Sequence, residues 1–182
     1  NVAEAYRCTG LLQLYRNFPD LLSPYLPIGE QEDAEANVSN ESDVRVLRDA
    51  WLASLATHIL DLIHDIPISS RSRSIQPLLL VSVCSDLSLG TTQCFPVGTM
   101  NAPVESLACS PRFNARVTDL DILRGRRFIL SRLSSFENVL AAKPIQTMIS
   151  LVKETWSRME ATQDNVYWMD VMRESGFETL MG

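Results

Sequence analysis

The chain has 182 residues, 46% hydrophobic and 21% charged, with a formal net charge of -6. That length suits one domain with a sizeable core, and no apolar run reaches the roughly 18 residues that a membrane-spanning helix needs. The acidic surplus is concentrated between Gly29 and Asp43 (Glu30, Glu32, Asp33, Glu35, Glu41 and Asp43), so the segment repels a phosphate backbone at long range and argues against direct nucleic-acid binding.

In chain order, Val2 to Asn17 reads as an opening helix with Ala5, Cys8, Leu11 or Leu12, and Tyr15 on one side. Phe18-Pro19 stops it, because proline disfavours helix in the residue before it. Residues 29–41 are rich in Glu, Asn and Ser without aromatics, the composition of a solvated acidic linker. Ser42 is expected to cap the next helix, with Asp43 favoured by its dipole. Val44, Leu47, Trp51, Leu55, Ile59, Leu62 and Ile66 then trace a long core stripe up to Pro67. Pro77 opens the most apolar stretch, read as a buried helix running to Leu87. Residues 88–111 carry Gly90, Gly98, Pro96, Pro103 and Pro111, which break any period and mark a long irregular loop.

From Thr118, with Asp121 completing a capping box, a helix carries Ile122, Ile129, Leu133, Phe136 and Leu140 on one face. Lys143-Pro144 interrupts it, and Pro144 suits the first turn of a new helix. That helix shows Ile145, Met148, Ile149, Val152, Trp156 and Met159 on one face, with a Glu154–Arg158 pair on the other. Asp164 or Asn165 is placed to cap a short last helix, and Gly176 to end it in a left-handed conformation. Periodicity of this kind without hairpin signals predicts an all-α fold of about six or seven helices, an irregular bundle or a stacked array, forming one domain over 1–182.

The spelling "RRFILSRLSSFE…IQTMISLVKETWSRMEA…VYWMDVMRESGFETLMG", with its closing W-M-D-V-M-x-E-x-G-F, resembles the C-terminal end of the fungal-specific transcription factor domain of zinc-cluster regulators. "AYRCTGLLQLYRNFPDLL" near the start resembles a second block of that domain, so both ends and roughly half of the chain are covered. Cys8 and Thr9 depart from the usual spelling, and Phe177 stands where tryptophan is frequent. The resemblance implies a nuclear regulatory domain cut from a longer protein, whose zinc-binding, DNA-reading module lies N-terminal to it. No cofactor is expected within the fragment itself, since Cys8, Cys84, Cys94 and Cys109 lack C-x2-C spacing and read as free thiols.

Catalysis is the poorer reading. His58 and His64 lie about 120° apart on one helix, and no phosphate loop, nucleophile elbow or H-E-x-x-H helix occurs. Asp61, His64 and Asp65 stand at i, i+3 and i+4, a geometry open to a metal, but a polar edge on a core helix explains them more simply. The arginines Arg116, Arg124, Arg126, Arg127 and Arg132 are interleaved with acids and read as a solvated face, with Arg132 tied inward to a carboxylate or helix carbonyls. Trp156, Met159, Trp168, Met169, Met172 and Phe177, with Leu180 and Met181, concentrate aromatic and thioether surface at the C-terminus. They are the candidate surface for a hydrophobic small-molecule effector or a second copy of the domain, against the plainer alternative of core. A scaffold holding a coregulator is the competing reading.

Overall fold

The computed structural model describes residues 1–22, 41–90, 117–162 and 164–177, with the side chains of 41–43 left aside. The expected acidic linker, nearly all of the irregular loop, Arg116, Cys94, Cys109, Leu180 and Met181 lie outside these residues. Among them the architecture is all-α: α1 (Val2–Asn17), α2 (Glu41–His64), α3 (Gln76–Val83), α4 (Asp119–Phe136), α5 (Ala142–Thr162) and α6 (Trp168–Glu174). Single 3-10 turns follow α1 at Pro19–Leu21 and α3 at Cys84–Asp86.

The short helix α3 sits centrally and touches α1, α2, α4 and α5. Its sequence explains why: Leu79, Leu80, Val81 and Val83 are all buried, so the helix has no solvent face to offer and must be enclosed. α1 packs mainly on α2, and Tyr15 meets Trp51 edge-on, with ring centroids 5.2 Å apart. α4 packs on α5, α2 and α3, and its Ile122, Ile129, Leu133 and Phe136 are all buried as their spacing predicts. α2 and α4 approach closely at Gly125, where a Cβ would stand 2.9 Å from Leu60 Cδ1. The glycine is therefore part of the packing between these two helices.

Local signals were largely obeyed. Both halves of the capping box form, Thr118 Oγ1 accepting from the Asp121 N–H and Asp121 accepting from the Thr118 N–H. Gly176 ends α6 with φ +70°, and the Phe177 N–H donates to the Met172 carbonyl at 2.9 Å. Arg158 reaches Glu154 at 2.9 Å and also pairs with Glu174.

Four expectations are corrected. α2 begins at Glu41, which puts Ser42 inside its first turn instead of at the cap. α4 ends at Phe136, and the break precedes Lys143, which already belongs to α5. α6 is preceded by Tyr167, not by Asp164 or Asn165, and no local side chain caps it. Arg126 is buried, not part of a solvated face.

Candidate functional site

The turn Cys84–Leu87 is where the polar contacts of the core converge. Its backbone leaves α3 as a tight 3-10 turn, so its carbonyls are not consumed by an α-helical ladder and need partners from elsewhere. Trp156 of α5 donates from Nε1 to the Cys84 carbonyl at 2.9 Å. Arg126 of α4 donates from Nε to the Leu87 carbonyl at 2.9 Å and pairs with Glu160 at 2.5 Å. Its guanidinium lies 5.0 Å from the Trp156 ring centroid, a cation–π contact.

Ser85 Oγ accepts from the Trp168 N–H at 2.8 Å, so a side chain distant in sequence supplies the cap that α6 lacks locally. Arg16 of α1 pairs with Asp86 at 2.6 Å. The Asp86 side chain is fully buried, and burial raises its pKa even against that guanidinium. Burial likewise pushes the Cys84 thiol up to about 12, so the sulfur is an inert core atom.

The C-terminal cluster divides on this frame. Trp156, Met159 and Trp168 are core residues, 6%, 3% and 5% exposed. Met172 and Phe177 pack half-buried against the core, whereas Met169 is exposed and receives the Tyr167 hydroxyl on its sulfur at 3.0 Å. The Trp156 indole and the Trp168 backbone N–H thus hold the Cys84–Leu87 turn, and among the described residues of the cluster Met169, Met172 and Phe177 offer accessible surface.

An open cleft of about 610 Å³ lies between α2 and α4, within the range of small-molecule sites. On the α2 wall stand Ser54, Thr57, His58, Asp61 and His64, spaced by three or four residues and so on one face. The α4 wall presents Asp121, Arg124, Arg127, Phe128 and Ser131, and Leu60, Gly125 and Val117 add apolar lining. Both helices thus bring polar and charged side chains to a cleft that also has an apolar lining. Asp61's pKa is raised, first by desolvation, with the imidazoles of His58 and His64 opposing.

The earlier metal candidates are distributed differently. Asp61 and His64 line the cleft, and His64 meets Asp65 at 3.8 Å. Among the described residues no group of three His, Cys, Asp or Glu side chains is placed to hold a metal. In the sequence Asp61, His64 and Asp65 read as a polar edge on a core helix; the polar residues of α4 that face Asp61 and His64 across the cleft are distant in the chain and have no spacing that links them.

The sequence profile of the fungal-specific transcription factor domain matches residues 1–182. The chain belongs to that family. This fungal-specific transcription factor domain therefore has a role in regulating transcription. No curated protein and no solved structure matches it significantly.

Proposed function

We propose that the chain is an effector-responsive regulatory domain of a nuclear zinc-cluster transcription factor, with DNA contacted by a separate module, and that the α2–α4 cleft seats the effector. The observation carrying this reading is the cleft between two long helices, lined by both polar and apolar side chains and open among the described residues. A ligand in that cleft touches both α2 and α4, so it favours whichever helix packing gives the spacing it bridges. Such unequal affinity for two packings is all that a population shift requires. A coupling of about 1–3 kcal/mol would shift the equilibrium between the two packings by roughly 5- to 150-fold.

The test uses the chain fused to an unrelated DNA-binding module driving a reporter in a fungal host, across media differing in carbon and nitrogen source. Reporter output should vary with medium for the native sequence, and Thr57→Trp, which fills the cleft from the α2 wall, should remove that variation. A Thr57→Trp fusion that is folded and responds like the native one would overturn the reading.

Self-association is a second reading, supported by a separate observation. Tyr6 and Leu14 are 57% and 40% exposed, and their spacing places them within one sector of α1; Phe18, 58% exposed, follows directly after its last residue. Gly10 falls in the same sector, and a Cβ there would meet no described atom within 4 Å. Two copies could cross closely at Gly10, and sedimentation of the native chain against Phe18→Glu distinguishes a dimer from a monomer.

A further inference from the structure

The loop joining α2 to α3 carries four serines, and the structure separates them. Ser70 and Ser72 are half-buried, with their hydroxyls 2.9 Å apart and bonded to each other. Ser69 and Ser74 are exposed, and neither hydroxyl bonds to a described residue. Of these two, only Ser74 follows arginines: Arg73 directly precedes it and Arg71 stands three residues before it. Both arginines are exposed and make no ion pair with a described residue.

We infer that Ser74 is a phosphoacceptor for an arginine-directed protein kinase, and that Arg132 at the base of the loop receives the phosphate. Kinases choose substrates by charge pattern, and two unpaired guanidiniums just before a free hydroxyl offer hydrogen bonds to carboxylates in a kinase groove. In the transfer, Ser74 Oγ bonds to the γ-phosphorus of ATP, the bond from that phosphorus to the β-phosphate oxygen breaks, ADP leaves, and the hydroxyl proton passes to the kinase's base. The loop must open to admit the kinase. The bonds released are single turns, from the Arg73 N–H to the Ser70 carbonyl and from the Ile75 N–H to the Ser72 carbonyl, both 3.1 Å, and such segments open more readily than the helices they join.

The receiving cation is uncompensated. Arg132 of α4 donates through Nη2 to the Ile66 carbonyl and to Gln76 Oε1, the latter at 3.1 Å, which places its guanidinium beside the residue two positions after Ser74. Its Nη1 and buried Nε bond to no described residue, and it pairs with no described carboxylate. Burial lowers its pKa, as expected of a charge drawn from water without a counter-charge. A phosphate on Ser74 supplies that counter-charge and also lies next to the start of α3, whose N-cap Ile75 provides no side-chain cap. Phosphorylation would therefore tie the α2–α3 loop to α4 around the central helix. None of Ser74, Arg71, Arg73 and Arg132 lines the α2–α4 cleft, so this site stands or falls separately from the effector seat.

The experiment incubates the folded chain with magnesium-ATP and the catalytic subunit of cyclic-AMP-dependent kinase, then maps phosphate by mass spectrometry. One phosphoryl group should enter, at Ser74. Ser74→Ala should abolish incorporation, Ser72→Ala should leave it intact, and Arg71→Gln should lower kcat/KM by roughly tenfold or more. Phosphorylation should raise the Tm of the native chain by about 2–4 °C. That rise, taken within each variant so that its own stability cancels, should vanish in Arg132→Met and shrink in Arg132→Lys, whose ammonium lacks the planar fork. No incorporation, incorporation that survives Ser74→Ala, or an unaffected rate in Arg71→Gln would overturn the phosphoacceptor. An unchanged or lower Tm of the phosphorylated native chain, or an undiminished rise in both Arg132 variants, would overturn the phosphate's seat at Arg132.

Discussion

Replacing Arg16 by methionine removes the buried ion pair at the Cys84–Leu87 turn, together with the weaker contacts of the guanidinium to Asn165 and the Tyr167 ring. Methionine keeps most of the aliphatic stem but removes the charge that faces Asp86 at 2.6 Å. The Asp86 side chain is fully buried, and among the described residues its second oxygen, Oδ2, has no hydrogen-bond partner. The variant thus leaves a carboxylate with nothing to compensate it. Breaking such a pair costs about 3–5 kcal/mol, a third or more of a typical domain stability of about 5–15 kcal/mol.

The pH dependence has a definite sign. Asp86 has a raised pKa when folded, against roughly 3.9 in an unfolded chain. An acid of this kind holds its proton more tightly in the folded state. Its contribution to stability is complete below the unfolded pKa and is lost as pH rises through the folded value. Removing Arg16 takes away the chief influence lowering that folded value. The penalty of Arg16→Met should therefore be small near pH 4, grow as pH rises, and be largest at neutral pH. Urea unfolding followed by tryptophan fluorescence at several pH values measures it. Arg16→Met combined with Asp86→Leu should recover most of the loss, since apolar replacement of both partners is often neutral. A loss below about 1 kcal/mol at neutral pH, or the same loss at pH 4, refutes the reasoning.

Other consequences can be checked in the same assay. Thr118→Ala should cost about 1 kcal/mol by removing the α4 cap. Part of this is pH-linked: Asp121 has a lowered pKa through its bonds to Thr118, so its contribution is present above the unfolded pKa and fades as pH falls through the folded one. Arg132 donates to the Ile66 carbonyl after α2 and to Gln76 Oε1 at 3.1 Å, so Arg132→Met should cost about 1–3 kcal/mol. Trp156→Phe keeps an aromatic ring beneath Arg126 but loses the bond to the Cys84 carbonyl, for about 1–3 kcal/mol. Trp156→Ala should cost about 3–5 kcal/mol.

What could be read from sequence was mostly local. The capping box, the glycine stop at Gly176 and the stripe from Ile122 to Phe136 each depend on residues within a turn or two, where spacing alone fixes who meets whom. Long-range partners have no such spacing. Arg124, Arg126 and Arg127 look alike in the chain, yet Arg126 is buried because Trp156, Glu160 and the Leu87 carbonyl surround it. Asn165 was a reasonable cap by type; in the fold it accepts from Arg16 at 3.3 Å, and Ser85 takes the capping role. Helical spacing marks a packed face and a ligand-lined face identically, so it does not separate the buried Trp156 and Trp168 from the exposed Met169. The cleft is not legible for the converse reason: many of its lining side chains are polar, and polar helix faces ordinarily look outward.

The effector seat is tested most directly by thermal unfolding of the native chain and Thr57→Trp against fractionated small-molecule extracts of fungal cells. If the α2–α4 cleft holds the effector, at least one fraction raises the Tm of the native chain and leaves that of the cleft-filled variant unchanged. Fractions that stabilise both proteins equally, or none that stabilises the native chain, would contradict it.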